Sequence, residues 1–85
     1  MNREKFLEDY NEPLMQAVEF TYKGKRYGIY GWWGIEVYDD DGEGHDIDDD
    51  TLCTKEDALR YRAFDGGTKA LIDIIEEITD VDFDF

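Results

Sequence analysis

Oxygen, nitrogen and sulfur donors crowd one stretch of this 85-residue chain: Asp39, Asp40, Asp41, Glu43, His45, Asp46, Asp48, Asp49 and Asp50, with Cys53 three residues beyond. Eight of the twelve residues from 39 to 50 are carboxylic acids, and none is lysine or arginine. The chemistry open to such a run is the capture of cations, either metal ions or the basic groups of another macromolecule. At physiological salt the Debye length of about 8 Å leaves neighbouring carboxylates only partly screened. Residues 39–50 are therefore expected to form a mobile loop that something outside the chain neutralises.

A calcium loop places ligands at positions 1, 3, 5, 7, 9 and 12, with glycine at 6 for the sharp turn. Counting from Asp39, the residues Asp39, Asp41, Glu43 and Gly44 fall at positions 1, 3, 5 and 6. Position 8 is Asp46 where an apolar residue is expected, and position 12 is Asp50 rather than glutamate, so the run does not read as an EF-hand. His45 and Cys53, with acids between them, allow a mixed zinc site, but their spacing is not diagnostic. Their ordinary roles are a solvated histidine among carboxylates and a small core residue. No metal or cofactor is assigned. Asp39, Asp41, Glu43, His45 and Cys53 are the weak metal candidates, with calcium or zinc as the open alternatives.

Catalysis finds less support. The chain has no serine, and its only histidine lies in a polar loop rather than beside an ordered nucleophile. A general acid among the carboxylates would need burial to raise its pKa, which an acidic loop does not offer. Gly66-Gly67 precedes a helix, but Asp65 and the overall charge oppose phosphate binding. The expectation is a protein that is not an enzyme.

These side chains hang on a short series of elements. Asn2 can cap a first helix carrying Phe6, Leu7 and Tyr10 as an apolar stripe, which Pro13 ends near Asn11. From Ala17 the period becomes two: Val18, Phe20 and Tyr22 alternate with Glu19, Thr21 and Lys23. Lys23-Gly24 then turns the chain into Lys25–Tyr30, a hairpin. Gly31-Trp32-Trp33-Gly34 supplies a turn or bulge before Ile35–Tyr38. Thr54 with Asp57 resembles a capping box opening a helix to about Ala63, and Thr68 can start a last helix bearing Leu71, Ile72, Ile75 and Ile78. Residues 80–85 alternate acid and hydrophobe, which fits an edge strand or an extended tail. The predicted fold class is α+β: one domain of order α-β-β-β-α-α, a three-stranded antiparallel meander under helices, with a possible C-terminal edge strand.

Composition narrows the function classes. A net charge of -14 and a pI near 4.1 repel nucleic acid and anionic membranes and speed encounter with basic proteins. With 41% hydrophobic and 15% aromatic residues, much of the chain should fold. A single cysteine suits a reducing cytoplasm, and neither a signal peptide nor an apolar run of about 18 residues is visible.

Tyr27, Tyr30, Trp32, Trp33 and Tyr38 gather around the second and third strands, where they either fill the core or anchor a partner. Trp32 and Trp33 are the anchors expected to add specificity. Asp73, Glu76, Glu77 and Asp80 supply a second acidic row on or after the last helix. Lys23, Lys25 and Arg26 form a basic hairpin tip that could pair with the acidic loop.

With its Asp39–Asp50 run and acid-studded end from Asp73 to Asp84, the chain resembles small acidic phage-encoded inhibitors, including DNA mimics and anti-CRISPR proteins. The likeness is one of size, charge and segment order, without a shared motif. It implies a decoy whose carboxylates replace phosphates in the groove of a basic nucleic-acid-binding protein in the host cytoplasm. The ending Asp82-Phe83-Asp84-Phe85 also resembles the acidic, Phe-terminated tail of bacterial single-stranded DNA-binding proteins, though it lacks that family's proline. The alternative is an acidic accessory module, metal-responsive or binding a protein through its aromatic strands.

Overall fold

Strand β1 (Ala17–Tyr22) buries Val18, Phe20 and Tyr22 and turns Ala17, Glu19 and Thr21 the other way, as its alternation dictates. The computed structural model describes residues 1–30, 34–48 and 51–85. A two-residue turn, with Lys23 at φ 49° and Gly24 at φ 78°, carries β1 into β2 (Lys25–Ile29). Its two positive φ angles match the twist of a tight hairpin. This turn fixes the register at Tyr22↔Lys25 and therefore Glu19↔Gly28 and Val18↔Ile29.

Strand β3 (Ile35–Tyr38) pairs with β2 through Gly28↔Glu36 and Arg26↔Tyr38. The chain then turns at 39–42 and returns as β4 (Gly44–Asp46), with Glu36↔Asp46 and Tyr38↔Gly44. The acidic run is thus not a loop throughout: its middle is a sheet edge. Asp39 N–H donates to the Glu43 carbonyl at 2.9 Å, and Glu43 N–H donates to the Asp41 carboxylate at 3.1 Å, which close the turn despite its like charges.

At the other edge β5 (Thr79–Asp84) lies antiparallel to β1, so the C-terminal alternation is a strand and not a free tail. The sheet order is β4-β3-β2-β1-β5. The expected three-stranded meander is the centre of this five-stranded sheet. A register shift between Glu19 and Thr21 coincides with Asp80 at φ 50°, and the Asp80 carbonyl accepts from Arg26 at 2.5 Å.

The described helices pack on one sheet face, their buried residues sharing one core with Val18, Phe20, Ile29 and Ile35. Helix α1 (Arg3–Tyr10), capped by the Asn2 side chain, buries Phe6 and Tyr10, and Phe6 packs on Phe83 with ring centroids 5.2 Å apart. Helix α2 (Lys55–Arg60) opens with the expected Thr54–Asp57 capping box, ends three residues before Ala63 and buries Ala58 and Leu59. The last helix begins at Leu71 rather than Thr68, because the Thr68 hydroxyl donates to the Asp65 carbonyl while Asp73 accepts from Ala70 N–H. It runs as α3 (Leu71–Ile74) and tightens into a 3₁₀ turn over Ile75–Glu77. Leu71, Ile74, Ile75 and Ile78 are all buried against Val18, Phe20, Ile29 and Ile35.

Phe64 closes one end of this core, its ring contacting Phe20, Tyr22 and Tyr27. Beside it Asp65 accepts from Tyr22 Oη and Lys23 Nζ, each at 3.0 Å, and the Lys23 ammonium holds its carboxyl below the usual range. No helix among the described residues is long and apolar enough to cross a membrane.

Candidate functional site

The helix-free face of the sheet is where the strand registers gather the acids. Following them across gives one row, Asp46 on β4, Glu36 on β3, Gly28 on β2, Glu19 on β1 and Asp82 on β5. Four of its five positions are carboxylates. Directly opposed side chains have Cβ atoms about 5 Å apart, and opposed like charges cost stability. Glu36 faces Asp46 and Glu19 faces Asp82 in this manner.

Glycine at the middle of the row has a local cause. A Cβ on Gly28 would lie 2.5 Å from Tyr30 Oη, so the Tyr30 ring folds back over the strand where a side chain would otherwise stand. Its hydroxyl is 3.5 Å from Glu19 Oε2. The neighbouring row repeats the device: a Cβ on Gly44 would meet Glu36 Oε2 at 2.7 Å and Tyr38 Cε1 at 3.0 Å. Two tyrosines thus lie against the sheet over glycine positions.

Arg26 is a basic group seated on this face. Its guanidinium lies 3.6 Å from Glu19 Oε1 and donates to Thr21 Oγ1 at 3.2 Å. A shallow groove of about 360 Å³ runs beside it, lined by Glu19, Arg26, Tyr38, Asp39, Asp40 and Gly42. Tyr38's phenol pKa is raised, first by burial and then by the Glu19 carboxylate. The groove joins the acidic turn to the acidic row.

Of the predicted residues, Asp39, Asp40, Asp41, Glu43 and Asp46 are exposed on this turn and edge. Asp48 instead accepts from Ile35 N–H at 3.1 Å and helps pin the edge. Trp32, Trp33, Asp49 and Asp50 lie outside the described residues. The second set, Asp73, Glu76, Glu77 and Asp80, is exposed on and after the last helix, with Asp73 also accepting from Ala70 N–H and Glu76 lying 3.7 Å from Arg3. The basic tip disperses, Lys23 to Asp65 and Arg26 to Glu19.

Among the metal candidates, Asp39, Glu43 and His45 come together, with donor atoms all within 4.8 Å of one another. His45 Nε2 lies 2.8 Å from Asp39 Oδ2, and this contact first, then the Asp39 charge, raises the imidazole pKa above its ordinary 6.5. Asp41 and Cys53 stand outside that group. Asp41 caps Glu43 N–H, and exposed Cys53 has its backbone N–H bound by Asp57.

Glu19, Glu36 and Asp82 were not singled out from the sequence. The signal was present: the two-residue turn at Lys23-Gly24 fixes the β1–β2 register, and period-two alternation then puts Glu19 outward. The pairing of β5 with β1 carries no such local marker. No family model, curated protein or solved structure matches this chain.

Proposed function

We propose that this chain is an acidic protein-binding inhibitor that occupies the basic nucleic-acid-binding groove of a target such as a guide-loaded Cas nuclease. Its carboxylates take the places of phosphates. The observation that supports this most directly is the cross-strand row Asp46, Glu36, Glu19 and Asp82 on a face that no described helix covers. Residues two apart on a strand are separated by about 7 Å, as Asp82 and Asp84 are, which is close to the step between successive phosphates of a DNA strand. The face therefore repeats negative charge across the strands and, on β5, along the strand.

Opposed carboxylates cost the isolated fold stability. A cationic groove recovers that loss, and salt would weaken the contact as it weakens DNA binding. Guide-loaded nucleases read a short DNA motif with arginines, the type of site such a face fits.

The test is DNA cleavage by a purified guide-loaded nuclease with this protein added before the DNA. Inhibition that fades as salt rises, and that prior DNA binding prevents, is the expected result. Inhibition indifferent to both salt and DNA would remove the decoy mechanism.

A second function, a metal-responsive accessory module, draws on the Asp39, Glu43 and His45 group. A ligand binding only the folded state raises its melting temperature. Unchanged melting with zinc and with calcium would eliminate it.

A further inference from the structure

The decoy function leaves open which cationic side chain the open face selects, and the face's own residues bear on that choice. A lysine ammonium is a compact, strongly hydrated point charge, whereas a guanidinium is planar, forks onto carboxylates and stacks on aromatic rings. Three features of the face match the second shape. Its acids come as opposed pairs, Glu36 with Asp46 and Glu19 with Asp82, whose Cβ atoms stand about 5 Å apart, and the Glu36 carboxylate and Tyr38 ring flank the same Gly44 position. Tyr38 lies against the sheet over Gly44 and forms a wall of the groove that opens beside the Glu36 row. The sheet also already seats a guanidinium there, Arg26, held by Glu19 and Thr21 at the register position beside Tyr38.

Resting on the inhibitor function above, we propose that the helix-free sheet face is an arginine-selective docking surface, whose occupant is an arginine-bearing basic segment of the target protein. Tyr38 provides the stacking wall and the Glu36–Asp46 pair the fork. Charge complementarity supports this occupant: within the groove beside Tyr38, Glu19, Asp39 and Asp40 outnumber Arg26. Asp73, Glu76 and Glu77 on the helical side are exposed as well but do not line this groove or its Tyr38 wall, which makes them the charge-matched comparison.

The experiment compares a nona-arginine with a nona-lysine peptide for binding to the full chain at fixed salt. Two variants of equal charge are set beside the parent: Glu36→Gln with Asp46→Asn on the face, and Glu76→Gln with Glu77→Gln on the helical side. Thermal melts check that both fold. The parent is expected to prefer nona-arginine by about tenfold, a difference of about 1.4 kcal/mol. The face variant should lose most of that affinity and the helical-side variant should keep it. Tyr38→Leu should bring the two peptides to equal affinity.

Equal losses in the two charge-matched variants would overturn the docking surface, because binding would then follow total charge. That result leaves the cleavage test untouched, so inhibition without face dependence separates failure of this inference from failure of the inhibitor function. Equal affinity of the parent for both peptides would overturn arginine selectivity.

Discussion

His45 shows how one contact sets a titration. The Asp39 carboxylate 2.8 Å away favours the imidazolium, so the folded-state pKa lies above the ordinary value. A raised folded pKa means the pair stabilises fully below pH 6.5 and loses that contribution as pH rises through the folded value. Histidine resonances followed by NMR should titrate above 6.5 in the parent and closer to it in Asp39→Asn. No difference between the two would dissolve the assigned pairing. Gly28 makes a second point at this scale. An alanine there meets the Tyr30 phenol at 2.5 Å and displaces the tip of a half-exposed ring. That small cost is set against the roughly 0.5–1 kcal/mol that alanine gains over glycine in a strand, so stability in a denaturant melt should change by less than about 1 kcal/mol while the Tyr30 ring resonances shift. Unshifted Tyr30 resonances would mean that the ring does not rest on the strand.

At the scale of elements, the short last helix carries more of the core than its length suggests, because Leu71, Ile74 and Ile75 are each fully buried. Leu71→Ala or Ile75→Ala should destabilise the fold by about 2–5 kcal/mol, read as a lowered melting temperature. Unchanged melting would contradict that packing. Leu71, Ile75 and Ile78 were legible from helical spacing, which chose Ile72 where the structure buries Ile74, and so were the Thr54 cap and the β1–β2 hairpin, because each depends on neighbours within a few residues. What the sequence hid depends on distant partners. Whether Val81 and Phe83 pair with a strand is decided by β1 some sixty residues earlier, and whether Gly44–Asp46 leave the loop is decided by β3. The acidic face went unread for the same reason: its row is assembled from five strands, each contributing one residue. Asp73 and Glu76 have the exposure that helical spacing assigns them, while their local partners, the Ala70 N–H and Arg3, were not visible in it.

For the molecule as a whole, a charge of -14 sets the response to ionic strength. Self-repulsion weakens the compact state and salt screens it. The melting temperature should therefore rise as sodium chloride is added, and Glu36→Gln with Asp46→Asn should melt no lower than the parent despite changing two sheet residues. A large drop would show that those carboxylates are structural rather than held in reserve for a partner.

The pairing of β5 with β1 also orders events during synthesis. Residues 17–38 can close their hairpins as soon as they emerge, but β1 keeps one bare edge of amide and carbonyl groups until residues 79–84 arrive to cover it. Until then the nascent chain presents β1 as a template for any extended segment. The late strand that ends this vulnerable interval brings aspartates at 80, 82 and 84 to the new rim, so completion of the sheet also makes its outermost strand repel a like copy.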